Sequence, residues 1–395
     1  MIRSTVAHVN LAALQANFRA IREFVSGPAK PPQIIAVVKA NAYGHGSARV
    51  ALALEEAGAD VFSCADIEEG IVLRQAGVRA PIIVFGALSV SDLDGLFEFS
   101  LTPTISSPGA AKAVHAAAAK RRTTIACHLK IDTGMNRLGF RHDNLRRTLP
   151  GVLASAHLRI AAVFTHFASA DVPESPLFND QRVRFEQALA IVDELVPGGG
   201  PARRSRDVAE AAAPHKTGKV MRHACNSAAL LRDSRVWYDA VRPGLLLYGI
   251  VPPPLASTIP LEPVMSLTSR VVAVKGLRPG EGVGYGWRFQ TDAPRTIAVV
   301  PAGYADGLDT RLGGRGHVLI RARRAPIVGA VSMDMITVDV TDVPEVEPGD
   351  EVVLLGRQGS ERWQQIDARE VAAAIGTIPW EIVCRLGTRV ERSYE

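Results

Sequence analysis

The sequence predicts an α/β protein with an N-terminal (β/α)8 TIM-like barrel over residues 1–249 and a C-terminal, mostly antiparallel β domain over residues 250–395. Three observations predict it. Between about residues 34 and 245, short apolar strand-like runs alternate with amphipathic helical patterns eight times. Beyond about residue 250 the texture changes to short β-branched runs punctuated by turn signals. The chain has 395 residues, 47% hydrophobic and 22% charged, which is too long for one ordinary core and suits two domains.

The eight barrel strands are read in IIAVVK (34–39), DVFSCA (60–65), PIIVFG (81–86), LTPTIS (101–106), TIACHLKID (124–132), LRIAAVFTH (158–166), VMRHACN (220–226) and DAVRPG (239–244). Between them, stretches such as SARVALALEEAG and FNDQRVRFEQALAIVDEL place apolar residues on one helical face and charges on the other. A doubly wound open sheet is the alternative, but no GxGxxG turn follows the first strand to support it. The segment 198–219 reads as a surface loop inserted between barrel elements. VPPPLASTIPLEP is a Pro-rich connector into the β domain. That domain's strands are read in LTSRVVAVKGL, RTIAVVPA, HVLIR, APIVGAV, MITVDVT and DEVVLLG, with turns at RPGEG, GGRG and EPGD. There only IDAREVAAAIG reads as a helix. The first ten or so residues, although counted with the barrel, are read as able to pack with the β domain.

The net charge of +5 comes from 45 Lys and Arg against 40 Asp and Glu. The basic residues are scattered, and the densest run (Arg203, Arg204, Arg206) lies in a Gly/Pro/Ala-rich stretch. A nucleic-acid partner calls for a concentrated basic face, so none is expected. Attraction of small anions is the milder implication. Cys64, Cys127, Cys225 and Cys384 form no CxxC pair and match neither a disulfide framework nor a metal site. No secretory signal is read at the N-terminus, and no run approaches the ~20 apolar residues that span a bilayer. A cytoplasmic protein with no membrane partner is expected.

The chemistry gathers at strand ends. AVVKANAYGHG (36–46) puts Lys39 at the C-terminal end of the first strand, the end at which a barrel's functional groups collect. Desolvation there favours the neutral, nucleophilic amine. An ordinary lysine snorkelling from a strand end would occupy the same position. Tyr43, Gly44 and Gly46 follow, offering a hydroxyl and a loop that can approach an anion closely. Ser227 begins a helical pattern in HACNSAALL, where it serves either as an anion ligand or as a simple N-cap.

AVVKANAYGHG resembles the cofactor-lysine motif of alanine racemases, fold-type III enzymes of pyridoxal 5'-phosphate, and further motifs follow in that family's order over nearly the whole chain. The resemblance implies that Lys39 carries the cofactor and that Tyr43 contacts its phosphate, as do Ser227 and the backbone of Gly244 and Leu245. HLKIDTGMNRLGF (128–140) supplies Arg137 near the cofactor's phenolic oxygen and the substrate, and Lys130, whose counterpart is often carbamylated and orients that arginine. FTHFASAD places His166 against the cofactor ring. VRPGLLLYG supplies Arg242 opposite the pyridine nitrogen, supported by His223. A guanidinium holds its proton, so it cannot act as the acidic partner that deepens an electron sink. In the C-terminal half, GEGVGYGWRF supplies Tyr285 as a second catalytic base reaching a neighbouring subunit's site. PAGYADGLDTRL supplies the gating Tyr304, and GAVSMDMITVDV supplies Met333 and Asp334 near the substrate carboxylate and its access route.

One departure stands out: IPWEIVCRLGTRVER has Trp380 where the family commonly has a phosphate-contacting tyrosine. Indole only donates, and its reach differs. The implied activity is interconversion of L- and D-alanine by a homodimer with composite sites, supplying D-alanine for peptidoglycan. A serine racemase, or a decarboxylase of the same fold type, is the alternative. The arginine of VRPG speaks against decarboxylation, and the full C-terminal half speaks against a non-catalytic cofactor carrier.

Overall fold

The computed structural model of the chain describes residues 4–88, 92–196 and 220–395. The segment 198–219, expected to be an inserted loop, lies outside them.

Eight parallel strands form the barrel among the described residues: Gln33–Val37, Val61–Cys64, Ile82–Val84, Thr102–Ile105, Ile125–Asp132, Leu158–Phe164, Met221–Asn226 and Ala240–Arg242. Each pairs with the next in this order, the last pairs back to the first through Ala240↔Gln33, and Thr104↔His128 joins the fourth to the fifth. Seven fall within the runs read from the sequence, and the first begins one residue ahead of its run, at Gln33. Inside the barrel, Ile35, Val61, Ile83, Ala162, Met221 and Ala240 pack as one small cluster. Inward-pointing side chains fill the floor, so the polar groups at the strand ends sit above an apolar plug.

The helices form for local reasons that also fasten the two halves together. Leu11–Phe24 starts where the Asn10 side chain accepts a hydrogen bond from Ala13 N at 2.7 Å. It buries Leu14, Phe18 and Ile21 at helical spacing. Asn17 on the same face is fully buried yet fully used: its amide donates to Leu247 O and Glu262 O and accepts from Glu262 N. This ties the first helix to the Pro-rich connector.

The second sheet runs in the order Ala273–Leu277, Arg295–Val300, Ile336–Asp339, Arg323–Val328, His317–Ile320, Glu351–Gln358, Met265–Arg270, Val6–Val9, Glu391–Tyr394. Every pairing on this path is antiparallel except that of Val6–Val9 with Glu391–Tyr394, which is parallel. The chain's opening strand therefore belongs to the β sheet.

The helix Ala368–Ile375 lies where IDAREVAAAIG was read. A second helix, Pro379–Cys384, was not expected. Six residues are too few for a hydrophobic period to show. Its signal is Pro379 at the first helical position, where the missing N–H costs nothing.

Candidate active site

The expected barrel residues meet at the C-terminal mouth of the barrel. Strand one ends at Val37, and Lys39 opens a tight turn. Ala40, Asn41, Ala42 and Tyr43 all have left-handed backbone, with φ of 53°, 52°, 54° and 52°. Each such residue costs roughly 1–2 kcal/mol when it is not glycine, so the surroundings must hold the turn. Ala42 N donates to Val38 O at 2.9 Å and Gly46 N to Asn41 O at 2.9 Å, and the Asn41 side chain accepts from Ser47 N at 2.8 Å. Glu69, from the neighbouring helix Ile67–Gln75, accepts from Ala40 N at 2.6 Å and Ala65 N at 2.8 Å. Gly44, at φ +83°, lets the helix Pro379–Cys384 approach: a Cβ there would lie 2.2 Å from Val383 O. A strained turn held this firmly fixes where the Lys39 side chain starts.

The electrostatics of the mouth are one-sided. Burial and then the Arg137 charge lower the pKa of Lys39, with Glu69 and Cys384 opposing. Lys130, only 6% exposed inside strand five, is pushed down to about 8 by burial and by the nearby Arg137 and Arg242 charges. Arg242 is 3% exposed, and burial brings its pKa to about 10. Four cationic side chains thus converge, with Glu69 and Asp132 the carboxylates in their field. Such a cluster suits an anionic ligand.

Arg242 is held from several sides. Its guanidinium donates to Thr165 O at 2.9 Å, Ala224 O at 3.0 Å and His223 Nδ1 at 2.9 Å, with His166 Nδ1 at 3.3 Å. Since Nδ1 of His223 accepts, its Nε2 carries the proton and donates to Nδ1 of His128 at 3.1 Å. Burial and the arginine's charge hold both rings neutral, His128 at about 3 and His223 well below the usual imidazole value. His166 is held neutral in the same way by burial, Arg242 and the lysines. The ring of Phe164 stacks on His223 at 4.7 Å. The guanidinium therefore stays charged and oriented in a dry wall.

An anion cradle lies beside it. Asn226, not Ser227, caps the helix Ser227–Arg232, accepting from Ala229 N at 2.9 Å. That frees the Ser227 hydroxyl, which accepts from Gly244 N at 3.0 Å and keeps its own O–H to donate. The Tyr43 ring packs at 5.1 Å from that of Tyr248. A Cβ on Gly244 would lie 2.6 Å from the Tyr43 hydroxyl, so a larger residue there would have to displace the Tyr43 ring. Burial raises the pKa of Tyr43 and keeps its phenol a donor. Leu245 opens the short turn that follows, and Trp380 stands half-buried in the first turn of Pro379–Cys384. The convergent cations, the free serine hydroxyl, the neutral phenol and the glycine cradle fit a phosphorylated aldehyde held by Lys39.

The C-terminal candidates lie apart from this cluster. Tyr285 sits on the tip between two short strands and is 77% exposed, beside Trp287 at 60%. Tyr304 and Met333 are 45% and 52% exposed. Among the described residues, no hydrogen bond, ion pair or ring contact joins Tyr285, Tyr304, Met333 or Asp334 to Lys39. Tyr304, Met333 and Asp334 are organised among themselves. Arg389 binds the fully buried Asp306 at 2.9 Å, Asp334 at 2.9 Å and Met333 O at 3.1 Å. Ala305 N also donates to Met333 O, and Tyr304 N to Ser332 O.

Sequence reading missed Glu69, His128, Cys384 and Arg389. Glu69 follows Asp66 by three residues and looks like part of an ordinary helix cap. Asp66 does cap that helix, while Glu69 reaches across to the lysine turn. His128 carries no local signal, because its partner His223 is 95 residues away.

Comparison with known proteins agrees with this geometry. The profile described as "Alanine racemase, N-terminal domain" matches residues 9–198 and 201–252, and "Alanine racemase, C-terminal domain" matches 264–394. The chain is 38% identical to the alanine racemase of Halothermothrix orenii, covering 100% of this chain and 97% of that one. It is 39% identical to that of Symbiobacterium thermophilum over the same shares. The crystal structure of alanine racemase from a D-cycloserine-producing Streptomyces lavendulae superposes with a TM-score of 0.88 at 32% identity, covering 100% of this chain and 98% of that one. These full-length matches make the chain an amino-acid racemase, an isomerase that depends on pyridoxal phosphate, and it belongs to the alanine racemase family.

Proposed function

We propose that the protein interconverts L- and D-alanine by a two-base mechanism, with Lys39 on one face of the substrate and Tyr285 of a second copy on the other. The observation that carries the reading is the desolvated Lys39, at the head of the strained Ala40–Tyr43 turn and at the centre of a cationic barrel mouth. Pyridoxal phosphate, when bound, supplies the electron withdrawal that makes the Cα proton acidic. Lys39 would hold it, with Tyr43, Ser227, Gly244 and Leu245 around the phosphate and Trp380 as a further N–H donor.

The protein's own groups do the rest. Burial and neighbouring cations lower the pKa of the Lys39 amine, which favours the neutral form whose Nζ can take a proton. Arg242 would face the ring nitrogen of the bound group, and its guanidinium, which keeps its proton, would not act there as an acid. His166 would pack against the ring of the bound group. Arg137, oriented by a carbamylated Lys130, binds the substrate side. The neutral amine that CO2 needs is favoured by a lysine pKa of about 8.

The second base must come from another molecule. Tyr285, Trp287, Tyr304, Met333 and Met335 are all large apolar side chains left exposed on the β domain. Large exposed apolar groups of this kind mark association surfaces. Docked over a neighbour's barrel, Tyr285 would present its phenol opposite Lys39, Tyr304 would gate access, and the Met333–Asp334 segment would border the substrate carboxylate. The consequence is a homodimer with two composite sites.

Three of the four cysteines are buried and all four are free, which supports a reducing cytoplasm. No helix among the described residues is long and apolar enough to cross a membrane. Supply of D-alanine to peptidoglycan is the proposed use. Serine remains the second reading on chemical grounds, since a pocket for a methyl group rejects a hydroxymethyl only weakly. The test is holoenzyme with L- or D-alanine in D2O. Racemisation with deuterium entering at Cα and no CO2 release is expected. CO2 release, or no turnover of either enantiomer, would overturn the reading.

A further inference from the structure

We propose that the C-terminal domain carries a second ligand site, separate from the barrel mouth, that takes a medium-chain carboxylate. The domain encloses a cavity of about 370 Å³ between its sheet and the helices Ala368–Ile375 and Pro379–Cys384. Its wall is mostly apolar, with Leu312, Ile327, Leu355, Val371, Ala374 and Ile382 among the lining residues. A volume of this size lies in the range of small-molecule sites, which combine an apolar wall with a few placed polar groups. Apolar cavities of less than half that volume, ~150 Å³, already bind benzene or xenon.

The polar groups are at the rim, and their pairing identifies the head group. Asp309 is bound by Arg311 and Arg385, and Glu370 by Arg324. Both rim carboxylates are therefore satisfied. Arg315 lines the same cavity, is exposed, and has no ion-pair partner among the described residues. His317 lies two residues further on, also exposed and lining the cavity. An apolar pocket with one uncommitted guanidinium at its mouth matches an amphiphile with an anionic head and a hydrocarbon tail. A planar carboxylate suits the guanidinium fork.

The site is not part of the racemisation machinery. None of Lys39, Arg137, His166, Arg242 or Tyr285 lines it. Its wall does share Val383 with the helix that rests on Gly44.

The experiment titrates straight-chain carboxylates from butanoate to dodecanoate, below their micellar concentrations, into holoenzyme held in excess racemic alanine. The alanine occupies the catalytic site, so calorimetry reads only binding elsewhere. One saturable site per chain is expected. Affinity should rise roughly fourfold per added methylene and level off once the cavity is full. Val371→Phe and Ala374→Leu, two independent ways of filling the cavity, should each abolish binding while racemase activity shows that the variant is folded. Arg315→Gln should weaken carboxylates and leave the matching primary alcohols unchanged. No saturable binding at any chain length, or undiminished binding in an active filled variant, would overturn the site. Alcohols binding as tightly as carboxylates would overturn the assigned head group.

Discussion

Lys130→Met should make the apoprotein more stable and the enzyme slower. Lys130 is buried in strand five with its ammonium 5.7 Å from the Phe164 ring centroid, and no carboxylate pairs with it directly. Its folded pKa of about 8 lies below the ordinary lysine value of 10.5. A depressed lysine pKa means that the unfolded chain holds the proton more tightly, so stability rises as pH climbs from about 8 towards 10.5. Below that window the charged lysine destabilises the fold by about 3 kcal/mol, taking 1.36 kcal/mol per pK unit. Methionine keeps the stem's packing and removes the charge. The gain should be about 3 kcal/mol at pH 7, about 2 at pH 9, and close to nothing at pH 10.5. Urea unfolding of cofactor-free protein in CO2-depleted buffer, repeated at the three pH values, measures it. Bicarbonate should recover part of that stability in the wild type, by converting the amine to a carbamate, and should leave the variant unchanged. A Lys130→Met protein less stable than wild type at pH 7, or a gain that does not shrink with pH, would refute the reasoning.

Three further outcomes follow from the site geometry. Gly44→Ala forces an Ala into φ +83° and sets its Cβ against Val383 O, so it should cost more than ~1 kcal/mol and loosen cofactor retention, read by absorbance after gel filtration. Glu69→Ala removes the acceptor of both Ala40 N and Ala65 N. It should cost roughly 1–3 kcal/mol and weaken cofactor affinity, with Glu69→Gln milder because one acceptor remains. Arg242→Lys keeps the charge but cannot reach His223, Thr165 O and Ala224 O together. Turnover should fall at least tenfold, and the bound cofactor's spectrum should shift; an unchanged spectrum would contradict the arginine's placement at the ring nitrogen.

The barrel was legible because each strand is a short apolar run bounded by helical patterns, and parallel strands buried on both faces leave that signature. Lys39, Arg242 and Ser227 were legible as residues at strand ends or in recognisable motifs. Their partners were not. Glu69 acts through backbone N–H groups that no sequence period reveals, and the His223–His128 contact joins residues far apart in the chain. Ser227 read equally as a cap or a ligand, and only the structure shows Asn226 taking the cap. The helix Pro379–Cys384 was hidden by its length. Its neighbour in the sequence, Arg389, looks like one more surface charge until folding sets it against Asp306 and Asp334.

The central claim is that each site joins Lys39 of one chain to Tyr285 of another. Mixing inactive Lys39→Ala with inactive Tyr285→Phe, after dissociation and reassembly in the presence of cofactor, tests it most directly. Hybrid dimers would hold one intact pair and one doubly altered pair. Random reassembly should then restore about a quarter of wild-type activity. If the mixture stays as inactive as its parents while hybrids are shown to form, the two residues do not work across a subunit boundary.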